Sequence, residues 1–179
     1  MRARLVASAA AVISLLGAVS LGSPAATAGQ FQPQVVSANP ADFTPHVLDG
    51  EVWSVAQVGS KMVLGGAYTR AQNASGGTIL TRNRILAFNR TTGVLDTVFN
   101  PNANGTVRAL IGAADGQSVY AGGQFTVIGG AGINRLARLN INTGLPVPGF
   151  SANVNNVVWD LKLVNNRLFV AGAFTAING

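Results

Sequence analysis

An internal repeat constrains this chain more than any other feature of its sequence. A pentapeptide of two small residues, a variable residue, an aromatic residue and threonine occurs three times. The glycine at its second position recurs after 57 and then 49 residues. The copies are Gly65-Gly66-Ala67-Tyr68-Thr69, Gly122-Gly123-Gln124-Phe125-Thr126 and Ala171-Gly172-Ala173-Phe174-Thr175. Three further anchors return after 51 residues: Asn83-Arg84 as Asn134-Arg135, Thr92-Gly93 as Thr143-Gly144, and Phe99 as Phe150. Four anchors in one order at nearly one spacing establish a repeat of about 50 residues.

Each repeat is predicted to fold as short antiparallel strands separated by tight turns. The first strand is expected at 52–58, 107–112 and 157–164, the second at 61–66, 118–123 and 167–172, and a third at 84–89 and 135–140. Helical periodicity is absent after residue 28. The hairpin turns consist of residue types that tolerate positive φ: Gly59-Ser60, Asp115-Gly116 and Asn165-Asn166.

The repeat length matches the blade of a β-propeller better than the coil of a β-helix, whose repeats are much shorter. The sequence therefore predicts an all-β chain: a partial β-propeller of four-stranded antiparallel blades over 48–179, with repeats at about 48–100, 101–151 and an incomplete 152–179. Because a propeller needs about four to eight blades, we expect a fragment of a longer chain that carries further repeats or domains. A ring assembled from several chains is the alternative.

The N-terminus has the pattern of a secretory signal peptide. Arg2 and Arg4 precede a mildly apolar run from 5 to 21, and Ala26-Thr27-Ala28 fits a signal peptidase site. We expect 1–28 to be the signal and 29–47 to be an N-terminal extended segment; a membrane anchor is the alternative for the apolar run. The predicted location is secreted, free or at the cell wall, with no stable membrane insertion after cleavage.

Composition limits the partners and the chemistry. After the signal the chain keeps ten basic and six acidic residues, a net charge of +4, and the basic residues form no run longer than Arg82-Asn83-Arg84. This is not the pattern of a nucleic-acid-binding protein, and it supports only weak adhesion to anionic cell-surface polymers. The chain has no cysteine, which excludes disulfides, thiol catalysis and iron–sulfur clusters.

The succession of motifs resembles the delta-60 repeat. The resemblance covers roughly 43–179, and 125–130 and 174–179 carry it best, as Phe-Thr-Val-Ile-Gly-Gly and Phe-Thr-Ala-Ile-Asn-Gly. It implies β-propellers in secreted bacterial proteins rather than a reaction. Two departures are visible: Leu95-Asp96 becomes Pro146-Val147 in the second repeat, and the first repeat carries an insertion around 72–81.

The sequence predicts no catalytic, cofactor-binding or metal-ligating residues. His46 is the only histidine; Asp42, Asp49 and Glu51 flank it, but the spacing fits neither a zinc helix nor a calcium loop, so we expect a solvated loop. No Gly-x-Ser-x-Gly elbow presents a serine for a triad. The glycine-rich stretch 129–132 has no following helix that would make it a phosphate site.

The remaining singular residues are expected to be structural. Asp115 lies in a predicted turn, as do the asparagines of three glycosylation sequons, Asn73, Asn89 and Asn104. Asp160 follows Trp159, and such a pair could contact a sugar, but Trp53 at the matching position is followed by Ser54. We expect both tryptophans to pack in the core or between blades, and the recurring Arg84 and Arg135 to tie strands or blades together.

The predicted function is a secreted, non-catalytic repeat module with a binding or scaffold role at the cell surface, where its ligand is a polysaccharide or a protein. One alternative is the propeller portion of an extracellular hydrolase or oxidoreductase whose catalytic residues lie outside this chain. Another is a structural array that only spaces other domains.

Overall fold

Every regular element of the described chain is a β-strand. The computed structural model describes residues 42–178, so the predicted signal peptide and most of the 29–47 segment lie outside the described residues. The described residues fall in one structural unit, Asn39–Gly179; they form thirteen strands, and we find no helix among them that could span a membrane. The strands are β1 (His46–Val47), β2 (Val52–Val58), β3 (Lys61–Gly66), β4 (Arg70–Gln72), β5 (Leu80–Thr81), β6 (Ile85–Asn89), β7 (Val107–Gly112), β8 (Ser118–Gly123), β9 (Val127–Ile128), β10 (Ala131–Gly132), β11 (Leu136–Asn140), β12 (Val158–Val164) and β13 (Arg167–Gly172).

Each repeat builds one main antiparallel sheet from its predicted strands. Repeat 1 orders its strands β2-β3-β6, repeat 2 orders them β7-β8-β11, and repeat 3 pairs β12 with β13. Strands β2, β3, β7, β8 and β13 have the predicted bounds. The hairpin turns also adopt the expected backbone, with positive φ at Gly59, Gly116, Asn165 and Asn166. Two smaller sheets, β1-β4-β5 and β9-β10, lie outside these three.

The sheets of the described residues have three, three and two strands, fewer than the four predicted for each blade, and they close into no barrel or propeller. After the third strand, one isolated bridge pairs Phe88 with Leu95 in repeat 1 and another pairs Leu139 with Pro146 in repeat 2. In repeat 1 the Asp96 carboxylate then accepts the amides of Val98 and Phe99, which turns the chain out of the sheet. In repeat 2 the bridging residue is a proline, which has no N–H to donate.

The three sheets pack face to face, and the middle sheet is covered on both sides. One apolar cluster joins repeats 1 and 2, and a second joins repeats 2 and 3. At each junction a valine and a leucine of the later repeat lie over a glycine of the earlier one. A Cβ at Gly65 would lie 2.7 Å from Val107 Cγ1, and one at Gly122 would lie 2.5 Å from Val158 Cγ1. Only glycine allows this approach, because real Cβ contacts are longer.

The recurring arginines tie successive repeats together, which confirms their expected structural role. Arg84 Nη1 donates to the carbonyl of Ala103 at 3.0 Å, and Arg135 Nη1 donates to that of Val154 at 3.1 Å. In both cases the acceptor belongs to the following repeat. Both arginines have positive φ, 64° and 63°, a conformation that costs about 1–2 kcal/mol for a residue with a Cβ.

Candidate functional site

One irregularity recurs in the first strand of every repeat. The register shifts between Val52 and Ser54, between Val107 and Ala109, and between Val158 and Asp160. Each shift leaves one extra residue without a partner, and such a bulge re-aims its side chain. The extra residues are Trp53, Arg108 and Trp159, which we call the bulge row.

The bulge row crosses three neighbouring strands, because β7 contacts β2 on one side and β12 on the other. Its two tryptophans are exposed, Trp53 by 46% and Trp159 by 56%. The guanidinium carbon of Arg108 lies 4.2 Å from the centroid of the Trp53 ring. The prediction that both tryptophans pack in the core or between blades is therefore wrong for Trp159, whereas Trp53 contacts the next repeat through Arg108 while its side chain stays half-exposed. The physical reason is the bulge, which turns them away from the sheet face where Val158 and Leu161 fill the contact with repeat 2.

The cation of the bulge row has no anionic partner in the described part of the chain. Arg108 Nε is buried without a hydrogen-bond acceptor, and none of the three ion pairs found within 42–178 involves Arg108. Two exposed carboxylates lie near the ends of the row in sequence, Glu51 and Asp160. Asp160 Oδ1 accepts the amide of Leu161 at 2.8 Å. The row thus combines two exposed indoles with a guanidinium that has no ion-pair partner among residues 42–178.

An apolar groove lies on the face of repeat 1 that points away from repeat 2. Its volume is about 560 Å³. Val55 is on this face, since side chains alternate along a strand and the preceding Ser54 accepts a hydrogen bond from Leu110 of repeat 2. The lining includes Phe43, Pro45, Val55, Met62, Leu64 and Phe88.

The residues around His46 do not come together as a site. His46 is exposed, as expected, but it pairs with Gln72 in strand β1 rather than lying in a loop. Asp49 instead accepts the amides of Thr69 and Arg70, both at 2.9 Å. The Thr69 hydroxyl and amide lower the pKa of Asp49 from 3.8 to about 2. No group of three or more metal-ligating side chains occurs among the described residues.

Asp49 belongs to a recurring clamp that sequence reasoning missed. Asn104 and Asn155 take its place in repeats 2 and 3, where each side-chain oxygen accepts the amide of the threonine that closes the repeated pentapeptide. Each asparagine also donates from Nδ2 to that threonine's hydroxyl. The clamp includes one predicted turn residue, Asn104. In the sequence, the clamp was visible as an Asp or Asn that recurs after 55 and then 51 residues.

Two other acidic residues have structural partners. Asp115 lies in its predicted turn, where it accepts the amides of Gln117 and Ser118 and pairs with Arg138 at 2.8 Å. Asp96 pairs with Lys61 at 2.6 Å. Burial raises the pKa of Asp96, but hydrogen bonds from Lys61 and from two backbone amides outweigh this effect, so its pKa lies below the ordinary value.

Comparison with known proteins adds no relative. No protein-family model matches the chain, and no curated protein matches its sequence.

Proposed function

We propose that this chain is part of a secreted, non-catalytic β-propeller of the delta-60 type that binds a polysaccharide at the cell surface. The observation that carries the binding role is the bulge row. A large exposed apolar side chain is informative where it recurs at one structural position. Two repeats expose an indole at the same bulge, and the repeat between them places a cation there.

The propeller part of the proposal rests on the repetition of one junction. The step from repeat 1 to repeat 2 and the step from repeat 2 to repeat 3 use the same glycine, valine and leucine positions. A structure built by repeating one step continues in the same sense, and a ring covers the apolar faces that an open array exposes. We therefore expect further repeats to complete the ring.

The exposed faces of repeats 1 and 3 restrict how the ring can continue. Val52 and Val55 occupy the places of Val107 and Leu110 and are exposed. Ala171 occupies the place of Gly65 and Gly122. Since a Cβ at the two glycines would meet a valine at 2.7 and 2.5 Å, a repeat that packs on Ala171 in this geometry needs a residue smaller than valine at that contact.

A polysaccharide suits the bulge row because an indole offers a flat apolar face together with a polar N–H group. The C–H face of a sugar ring can lie on that surface while its hydroxyls remain in water. A rigid sheet that holds such side chains at fixed positions lowers the entropy cost of binding. Such binding needs no catalytic group.

The test is retention of the purified protein on insoluble bacterial cell-wall preparations, measured as bound against free protein over a concentration range. We expect saturable retention, weakened about tenfold or more by the double substitution Trp53→Ala and Trp159→Ala, because stacking on an aromatic ring contributes about 1–3 kcal/mol in nucleic-acid complexes. Val98→Ala is the matched control, since Val98 is an exposed apolar residue outside the row. Equal retention of the double variant would remove the row as the site, and no retention of the unmodified protein would refute the binding role.

A further inference from the structure

We propose that the bulge row recognises an acidic polysaccharide, whose carboxylate or phosphate groups bind Arg108 while sugar rings on either side stack on Trp53 and Trp159. This inference rests on the proposed function and names its ligand class. It is carried by the alternation of an aromatic, a cationic and an aromatic side chain over three successive bulges.

The need for an extended ligand follows from the spacing of the sheets. Sheets that pack face to face lie about 10 Å apart, and the two tryptophans belong to the first and the third of three stacked sheets. A single sugar cannot reach both indoles. A polymer that crosses the strands can contact Trp53, Arg108 and Trp159 together.

The need for negative charge follows from Arg108. A guanidinium offers donors in a fork that matches the two oxygens of a carboxylate or phosphate. The Trp53 ring lies 4.2 Å from the Arg108 guanidinium carbon and holds this group in place through a cation–π contact. The described residues provide no anion for it, and the net charge of +4 after the predicted signal favours the approach of an acidic polymer.

The negative charge of a neighbouring carboxylate should repel an acidic polymer, so removing that charge tests the inference. Asp160 directly follows Trp159 and is exposed. Its Oδ1 accepts the Leu161 amide, a hydrogen bond that the side-chain oxygen of an asparagine can also accept. Asp160→Asn therefore removes a charge and leaves that acceptor, so it should strengthen binding to an acidic polymer and leave binding to a neutral one unchanged.

The experiment measures the binding of polygalacturonate, an acidic polymer, and of dextran, a neutral one, to the purified full chain by affinity electrophoresis and calorimetry. We expect polygalacturonate to bind and dextran to bind at least tenfold more weakly. Arg108→Gln should weaken the binding of polygalacturonate about 10- to 100-fold, since a hydrogen bond to a charged group contributes about 1.5–3 kcal/mol. Arg108→Lys should recover part of the loss, because it restores the charge without the fork.

Several outcomes would overturn the inference without touching the proposed function. Equal binding of dextran and polygalacturonate would show that charge is not recognised. Failure of both polymers to bind, with tryptophan-dependent retention on cell walls intact, would show that the class is wrong. Equal affinity for free galacturonic acid and its polymer would contradict the extended site. A weaker Asp160→Asn variant would show that this carboxylate contacts the ligand.

A loss of binding by the Arg108 variants counts only if these variants remain folded. Thermal unfolding of Arg108→Gln and Arg108→Lys, followed by circular dichroism, should match the unmodified protein within a few degrees. If Arg108→Gln unfolds early, Asp160→Asn still tests the inference at a position outside the row. If the unmodified protein is not retained on cell walls at all, the proposed function itself is refuted.

Discussion

The two junctions between repeats use the same contacts but differ in how completely they are buried. In both, a valine and a leucine lie over a glycine and an arginine donates to a carbonyl of the next repeat. Within the described residues the cluster at the first junction contains sixteen buried residues, whereas the cluster at the second contains six and is completed by half-buried ones. The reason is that repeat 3 provides two strands where repeats 1 and 2 provide three.

Within the described part of the chain, the first junction also has polar contacts that the second lacks. At the first, the Leu110 amide donates to Ser54 Oγ of repeat 1 at 2.9 Å, and Lys61 Nζ donates to the Ile141 carbonyl of repeat 2 at 2.9 Å. At the second, Ala109 occupies the place of Ser54, and the Leu161 amide donates to its own neighbour Asp160 instead. The shared contacts set the geometry of stacking, and the contacts specific to one junction determine how firmly it holds.

The largest effect is expected from adding a Cβ at the junction glycines. Gly65→Ala should lower the free energy of unfolding by about 2–3 kcal/mol, because it overpacks a dense core. Gly122→Ala should cost less, about 1–2 kcal/mol, since the half-buried residues around Val158 can move. Denaturant titration of both variants measures the difference.

Gly132→Ala is the matched control, because a Cβ there would meet nothing within 4 Å. It should change the free energy of unfolding by less than about 0.5 kcal/mol. A larger loss at Gly122 than at Gly65 would contradict the view that the first junction is the tighter one.

How much the sequence could predict differs between the strands and the bulge row. The strands, hairpin turns and all-β class follow from local patterns, because alternation and turn residues are local properties. The exposure of Trp53 and Trp159 does not, since a bulge depends on the register with the neighbouring strand. The positive φ of Arg84 and Arg135 was equally hidden, because residue type does not indicate it.

The next effect concerns the clamp, which is a carboxylate in repeat 1 and an amide in repeats 2 and 3. Asp49 has its pKa lowered from 3.8 to about 2 by Thr69 in the folded protein. Its contribution to stability is therefore present above about pH 4 and lost as the pH falls toward 2. Asp49→Asn should flatten the stability profile in that window and change little at pH 7, as Asn104 and Asn155 make the same clamp.

The measurement is the free energy of unfolding of both proteins from pH 7 to pH 2. Asp96 and Asp115 also have pKa values below the ordinary one, so both proteins should lose stability in acid, and only the difference between them belongs to Asp49. Parallel profiles would show that the clamp does not titrate.

The smallest effect distinguishes the junctions at the bulge row itself. Trp53 stacks on Arg108 across the first junction, whereas no cation is stacked on Trp159 among residues 42–178. An exposed cation–π contact contributes about 0.5–1 kcal/mol, so Trp53→Ala should lower the free energy of unfolding by about that amount. Trp159→Ala should stay within about 0.5 kcal/mol of the unmodified protein, and Arg108→Gln should reproduce the Trp53→Ala loss.

In the double variant of Trp53 and Arg108 the two losses should not add, since both remove the same contact. Additive losses would mean that the stack contributes nothing to the free energy of unfolding. The buried core alone would then account for the greater stability of the first junction.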